Sequence, residues 1–178
     1  MEVGGEHYRH VGGVHAIPVV GVAGTLLLCG LEAIGPDPVG LMRRTEADTA
    51  VCLQTDVEIL RRHPAYLDWL ASPEPFEALR LPTEDHLVTD DGGVTGLVVD
   101  VHGRLAGGGR VVVHCGAGWG RAGVIATLVM CRAGSDVGDA LRDLRSARPA
   151  AGPQSLEQDD QVRRLGPLLR EGGRDPIP

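Results

Sequence analysis

The run Val-Val-Val-His-Cys-Gly-Ala-Gly-Trp-Gly-Arg-Ala-Gly at 111–123 constrains this chain more than any other stretch. Three successive valines read as a strand buried on both faces. Val124, Ile125, Leu128 and Val129 then recur at helical spacing, so residues 116–123 must turn a strand into a helix. Gly116, Gly118, Gly120 and Gly123 permit the tight curl that this requires. In such a turn successive backbone N–H groups converge, and the start of the helix adds its positive end. The concavity favours an anion such as a phosphate group, and it equally favours a thiolate at Cys115. Arg121 brings a planar fork that can hold two oxygens at once. The expected phosphate-binding set is Gly116, Ala117, Gly118, Trp119, Gly120 and Arg121.

His114, Cys115, Gly118, Arg121 and Gly123 together resemble the signature loop of the cysteine-dependent protein phosphatases, His-Cys-x2-Gly-x2-Arg-[Ser/Thr]-Gly. The length suits the compact dual-specificity type. The resemblance implies a phosphate-monoester hydrolase that works through a phosphocysteine on Cys115, with no cofactor and no metal. It implies that Arg121 binds the phosphoryl oxygens and that His114 is buried behind the nucleophile, where it orders the loop. It also implies a general acid about thirty residues before the cysteine, and Asp85 stands at that place in a Pro-x-x-Asp pattern. The family's proline after this acid is missing. Glu84, Asp90 and Asp91 are alternatives, although Asp90 and Asp91 better suit the start of the next helix.

One departure bears on mechanism. The family places a hydroxyl after the arginine, and here the residue is Ala122. That hydroxyl helps sulfur leave in the second step, so hydrolysis of the phosphocysteine is slow or another group compensates. Gln154 and Gln158 are the supporting residues to consider for placing water. Gln158 also reads as part of a Ser155–Gln158 capping box, and Gln154 as a loop residue. The alternatives to an active phosphatase are a catalytically weak phosphate-binding pseudophosphatase and an inositol-phosphate phosphatase. Lipid-directed loops carry extra basic residues, which this loop lacks. Trp119 is unusual in this loop and is expected to wall the pocket mouth or touch substrate.

The 178 residues suit one domain with a proper core. Net charge is −7, which argues against nucleic acid or an anionic membrane as the main partner. The expected partner is a phosphorylated protein or a small phosphate monoester, met by a monomer. All 17 basic residues are arginine, a bias of GC-rich, bacterial genomes. The four cysteines Cys29, Cys52, Cys115 and Cys131 lie on apolar segments without metal spacing, which points to a reducing cytoplasm. Cys52 is the first choice for a redox partner of Cys115. The apolar stretch 16–29 is too short to span a bilayer and reads as early strands. His7, His10 and His15 do not make a ligand set.

The expected order is a loose arm over 1–15, a phosphatase domain over 16–170 and a tail over 171–178. Strands are expected at 25–29, 50–53 and 78–81, before the signature strand. Helices are expected at 38–46, at 56–72 with a break at Pro64, through Val94, Leu97, Val98, Val101 and Leu105, from a Ser135 cap, and from 156 to about 169. Strands interleaved with helices predict an α/β domain: a mostly parallel or mixed sheet of four to five strands with helices on its flanks.

Overall fold

The computed structural model describes residues 13–172. The elements run β1 (His15–Ile17), β2 (Thr25–Gly30), α1 (Leu31–Ile34), α2 (Pro38–Arg44), β3 (Thr49–Cys52), α3 (Asp56–Leu60), α4 (Pro64–Ala71), β4 (Glu77–Arg80), α5 (Asp91–Ala106), β5 (Arg110–Cys115), α6 (Gly120–Arg132), α7 (Val137–Ala147) and α8 (Leu156–Gly172). The five strands form one mixed sheet in the order β1-β2-β5-β3-β4. Only the β1–β2 pairing is antiparallel. This is the predicted α/β domain. His7, His10 and most of the expected arm and tail fall outside the described residues.

The register explains the valines. β5 lies between β2 and β3, so both of its faces are covered. Val111 and Val113 pack with Leu26, Leu28 and Val51 against α5 to α8. Val112 points the other way, with Leu27, Cys29, Ala50 and Cys52 against α1 to α4. Each buried valine contributes about 1.5–3 kcal/mol. The same alternation sends His114 and Cys115 to opposite faces at the end of the strand.

Two caps differ from expectation. Asp136, not Ser135, caps α7 by accepting from Asp139 N. Ser155 Oγ does accept from Gln158 N at 3.2 Å, but the Gln158 side chain does not return the bond. It reaches across to the loop after β4, with consequences set out below. The predicted break at Pro64 is real: a turn ends α3 at Leu60, and Pro64 opens α4 as its first residue.

Candidate active site

Between Cys115 and Gly120 the backbone is bonded from outside at three consecutive carbonyls. Gly116 O accepts from Leu31 N at 2.9 Å. Ala117 O and Gly118 O accept from Arg148 Nη2 and Nε, each at 2.8 Å. A trans peptide sets its N–H opposite its C=O, so the amides of Ala117, Gly118 and Trp119 turn to the inner side. This is the anion-favouring curl that the glycine spacing predicts. Gly118 has φ +72°, and a Cβ there would sit 2.3 Å from Cys29 O, so no larger residue fits. A Cβ on Gly123 would meet Gly152 N at 2.3 Å, which excludes a side chain there too. Arg148 is buried and is further held by Gly13 O at 2.7 Å.

Cys115 closes the strand with 2% of its surface exposed. His114, on the other face, meets Tyr66 of α4 through a 2.6 Å bond between Tyr66 OH and Nε2. Burial pushes the His114 pKa down to about 3, against the pull of the Cys115 backbone. The ring is therefore neutral and structural, as the resemblance implies.

Arg121 stands on the first turn of α6 with 4% exposure. Glu58 of α3 grips its fork: Nη1 donates to Oε2 and Nη2 to Oε1, each at 2.9 Å. Nη1 also donates to Thr83 O at 2.7 Å, and Nη2 lies 3.1 Å from Asp85 Oδ1. Burial alone would lower the guanidinium pKa, but the Glu58 bonds and the nearby Cys115 and Asp85 charges raise it above its usual value. Burial raises the Glu58 carboxyl, yet the bonds from Arg121 and Thr55 outweigh this and hold it at about 2. Both partners stay charged across the working pH range.

Of the four acids considered, Asp85 alone reaches Arg121. Asp90 accepts from Gly93 N at 2.8 Å as the cap of α5. Asp91 is bonded by Gln161 and Arg164. Asp85 sits on an exposed turn closed by Leu87 N donating to Glu84 O at 3.1 Å. A cleft of about 390 Å³ opens over Gly116, Ala117 and Arg121, walled by Glu58, Asp85, Gln54, Glu32, Arg61 and Arg62. Trp119 is half-buried and does not line that cleft, contrary to expectation; its carbonyl accepts from Gly123 N and Gly152 N. Nor is Arg121 the only cation: Arg61 and Arg62, from the end of α3, share the cleft.

The two glutamines proposed for water both pack against Gly120 of the signature loop, and neither lines the cleft. Gln154 Nε2 donates to Ala150 O and Gly152 O, and Gln158 uses both ends of its amide. Ala122 is buried in the core, and no described residue lining the cleft carries a hydroxyl. The glutamine that does line the cleft is Gln54, which sequence reading passed over. It is buried, its Oε1 has no hydrogen-bond partner, and its Nε2 lies 3.9 Å from a Cβ built on Gly116. Glu58, Arg148 and Tyr66 were also missed. Glu58 had a local signal, because Thr55-x-x-Glu58 is a capping box and both of its bonds are present. Arg148 and Tyr66 had none.

Cys52 lies on β3 beside the signature strand, but its side chain is in the opposite core from Cys115, so its choice as redox partner loses its geometric basis. Burial pushes the thiols of Cys29 up to about 12 and of Cys52 and Cys131 up to about 11, which leaves them as packed apolar groups. Among the described residues no group of three or more His, Cys, Asp or Glu could hold a metal, and no helix is long and apolar enough to cross a membrane.

The fold is shared with solved phosphatases. The kinase associated phosphatase, with its catalytic-site cysteine substituted by serine, is 15% identical over 89% of this chain and 96% of that one, with a TM-score of 0.74. PTPMT1 in complex with PI(5)P is 16% identical over 89% and 97%, with a TM-score of 0.72. Human DUSP28 is 20% identical over 87% and 95%, with a TM-score of 0.65. No curated protein sequence matches the chain. Residues 41–163, well over half of the chain and including β3 to β5, both site loops and α6, match the model of one family. The chain therefore belongs to the PTP-SAK family, the Swiss Army Knife protein DSP-PTPase phosphatase domains, within the cysteine-dependent dual-specificity phosphatases.

Proposed function

We propose that this domain hydrolyses phosphate monoesters in two steps through Cys115. The observation that carries the reading is the buried Arg121 fork, bracketed by Glu58 and Asp85 at the end of the loop that follows Cys115, whose carbonyls at 116–118 are bonded outward. In the first step Sγ forms a bond to phosphorus, the ester P–O bond breaks, and Asp85 gives its proton to the departing oxygen. In the second step water oxygen forms a bond to phosphorus, the S–P bond breaks, and Asp85 takes a proton from that water. Inorganic phosphate leaves. Arg121 and the loop amides carry the charge on the equatorial oxygens throughout, so catalysis is mainly positioning and electrostatic. Neither step calls on a metal.

A phosphoprotein or a small phosphorylated metabolite fits the open cleft. Arg61 favours substrates with a second acidic group near the phosphate, inositol phosphates included, while Arg62 beside it is paired with Glu32 at 3.2 Å. The weak-binder alternative has its own support, because Ala122 removes the hydroxyl that would help sulfur leave. Rapid mixing with a nitrophenyl phosphate separates the readings. Turnover, with a phosphocysteine trapped on Cys115 by acid quench, is expected. Tight phosphate binding without release of nitrophenol would sink the hydrolase reading.

A further inference from the structure

The loop over 81–90 that carries Asp85 has little apolar burial to hold it. Leu87 and Val88, at its centre, are 48% and 37% exposed. The cavity beneath them, among Leu53, Leu81, Val94, Val124 and Ile125, measures only about 20 Å³. Its start is tied to the end of β3 by Leu81 N donating to Cys52 O at 3.1 Å and Thr83 N to Leu53 O at 3.0 Å, and what fixes the part beyond Asp85 is a pair of buried amides on α8. Gln158 Nε2 donates to Leu87 O at 3.2 Å, and Gln161 Nε2 donates to Thr89 O at 2.8 Å and to Asp91 Oδ1 at 3.0 Å. The two glutamines are 1% and 2% exposed, and their i,i+3 spacing puts them on one helix face.

Burying an amide costs about 1–3 kcal/mol unless it is hydrogen-bonded, and leucine would pack at either site without that demand. Their amides reach outward to the carbonyls of one distant loop, at sequence separations of 71 and 72. Gln158 also touches the other half of the site. Its Oε1 accepts from Gln154 N at 2.9 Å and lies 3.1 Å from a Cβ built on Gly120, so the side chain packs directly on the signature loop. From the opposite side Arg121 holds Thr83 O. The loop is thus gripped at Thr83, Leu87 and Thr89, and the turn Glu84–His86 between them is tied only through the exposed Asp85–Arg121 pair.

We infer that Gln158 and Gln161 are positioning residues for the acid: they register the Asp85 turn against the signature loop, so that Asp85 is aimed before substrate arrives. This rests on Asp85 being the proton donor. It also gives Gln158 a different task from water placement, because its amide is spent on the loop. A positioned acid matters only where the leaving group needs a proton, so loosening the loop should cost most on poor leaving groups.

The test uses the full chain with Gln161→Met and Gln158→Met, which keep length and lose the donor. On an alkyl phosphate kcat should fall about tenfold, and on an activated nitrophenyl phosphate it should stay within about twofold. Amide hydrogen exchange over 84–90 should quicken about tenfold, with the amides of β5 unchanged. In an Asp85→Asn background the same substitutions should add no further loss. Equal losses on both esters, or unchanged exchange over 84–90, overturn the brace. A leaving-group effect in Asp85→Asn with none in either glutamine variant overturns the brace and spares Asp85. No leaving-group effect in any of the three overturns both. Should Gln161→Met fail to fold, Gln158→Met carries the same expectations.

Discussion

In the signature loop the carbonyls of Gly116, Ala117 and Gly118 are all bonded, and glycine is enforced where a Cβ would strike backbone. In the loop over 81–90 the backbone is tied to β3 only as far as Thr83, and beyond it is caught at separate points by side chains from α8, with an exposed turn between. On the proposed reading the first loop presents a fixed set of amides to an anion of fixed shape, so every peptide plane matters. On the same reading the second delivers one carboxyl to one atom, so anchoring its shoulders is enough. The difference shows in the sequence: the first is written as a motif, while the second keeps its acid and drops the neighbouring proline.

The largest expected effect lies at the first loop. Cys115→Ser should lower turnover of nitrophenyl phosphate by at least about 10⁴-fold, because serine is too weak an acid to attack unaided. Phosphate affinity by calorimetry should be nearly unchanged, since the amides and Arg121 remain. Lost binding would mean that the sulfur, not the loop, holds the anion.

At the second loop, Asp85→Asn should slow an alkyl phosphate by roughly 10²–10⁴-fold and leave a nitrophenyl ester much less affected. A uniform loss on both esters would make Asp85 a partner of Arg121 and nothing more, erasing the contrast between a loop that binds and a loop that donates.

Smaller still is the effect at Ala122. A hydroxyl there would give one charge-assisted hydrogen bond to the departing sulfur, about 1.5–3 kcal/mol, or roughly one to two decades of rate. The native protein should show a burst of about one equivalent of nitrophenol before a slow steady state. Ala122→Ser should raise the steady rate and shrink the burst, with little change in the burst rate constant. With no burst and a neutral Ala122→Ser, attention passes to Gln54, the glutamine that lines the cleft.

A separate effect, on folding and not on turnover, is stability in acid. The buried His114 has its pKa lowered to about 3, so its contribution is whole above the unfolded value near 6.5 and falls away as pH drops toward 3. The slope is at most about 1.4 kcal/mol per pH unit. Glu58, held at about 2, adds to the same trend below about pH 4.5. Urea midpoints at pH 7, 5.5 and 4 should decline, and His114→Gln should flatten the interval between 6.5 and 4.5. A native profile flat down to pH 4 would contradict the neutral, sequestered imidazole.

Much of this was legible in advance where the cause is local. The strand-to-helix turn, the Pro64 break and the Asp90 cap follow from residues a few positions apart. Asp85 was singled out because its distance from Cys115 follows the family's pattern, but its contact with Arg121 was not legible. The Ser155–Gln158 pattern misled in part: a helix start was there, but the glutamine side chain had a more distant use. The signature loop does carry a single arginine, but the charge of the cleft was not legible from it, because Arg61 and Arg62 enter from beyond another helix.

What the sequence alone determined is the chemistry that backbone geometry dictates within one turn of chain: the curl after Cys115, the fork of Arg121 at a helix start, and a β5 that must be covered on both faces. These depend on φ and ψ preferences and side-chain periodicity, which neighbours in sequence set. Only the tertiary structure decided who holds the parts. Glu58 meets Arg121 across 63 residues, Tyr66 meets His114 across 48, and Arg148 meets Gly118 across 30. Such pairs arise because the packed sheet and helices bring those positions within hydrogen-bond reach, and no local preference encodes that distance.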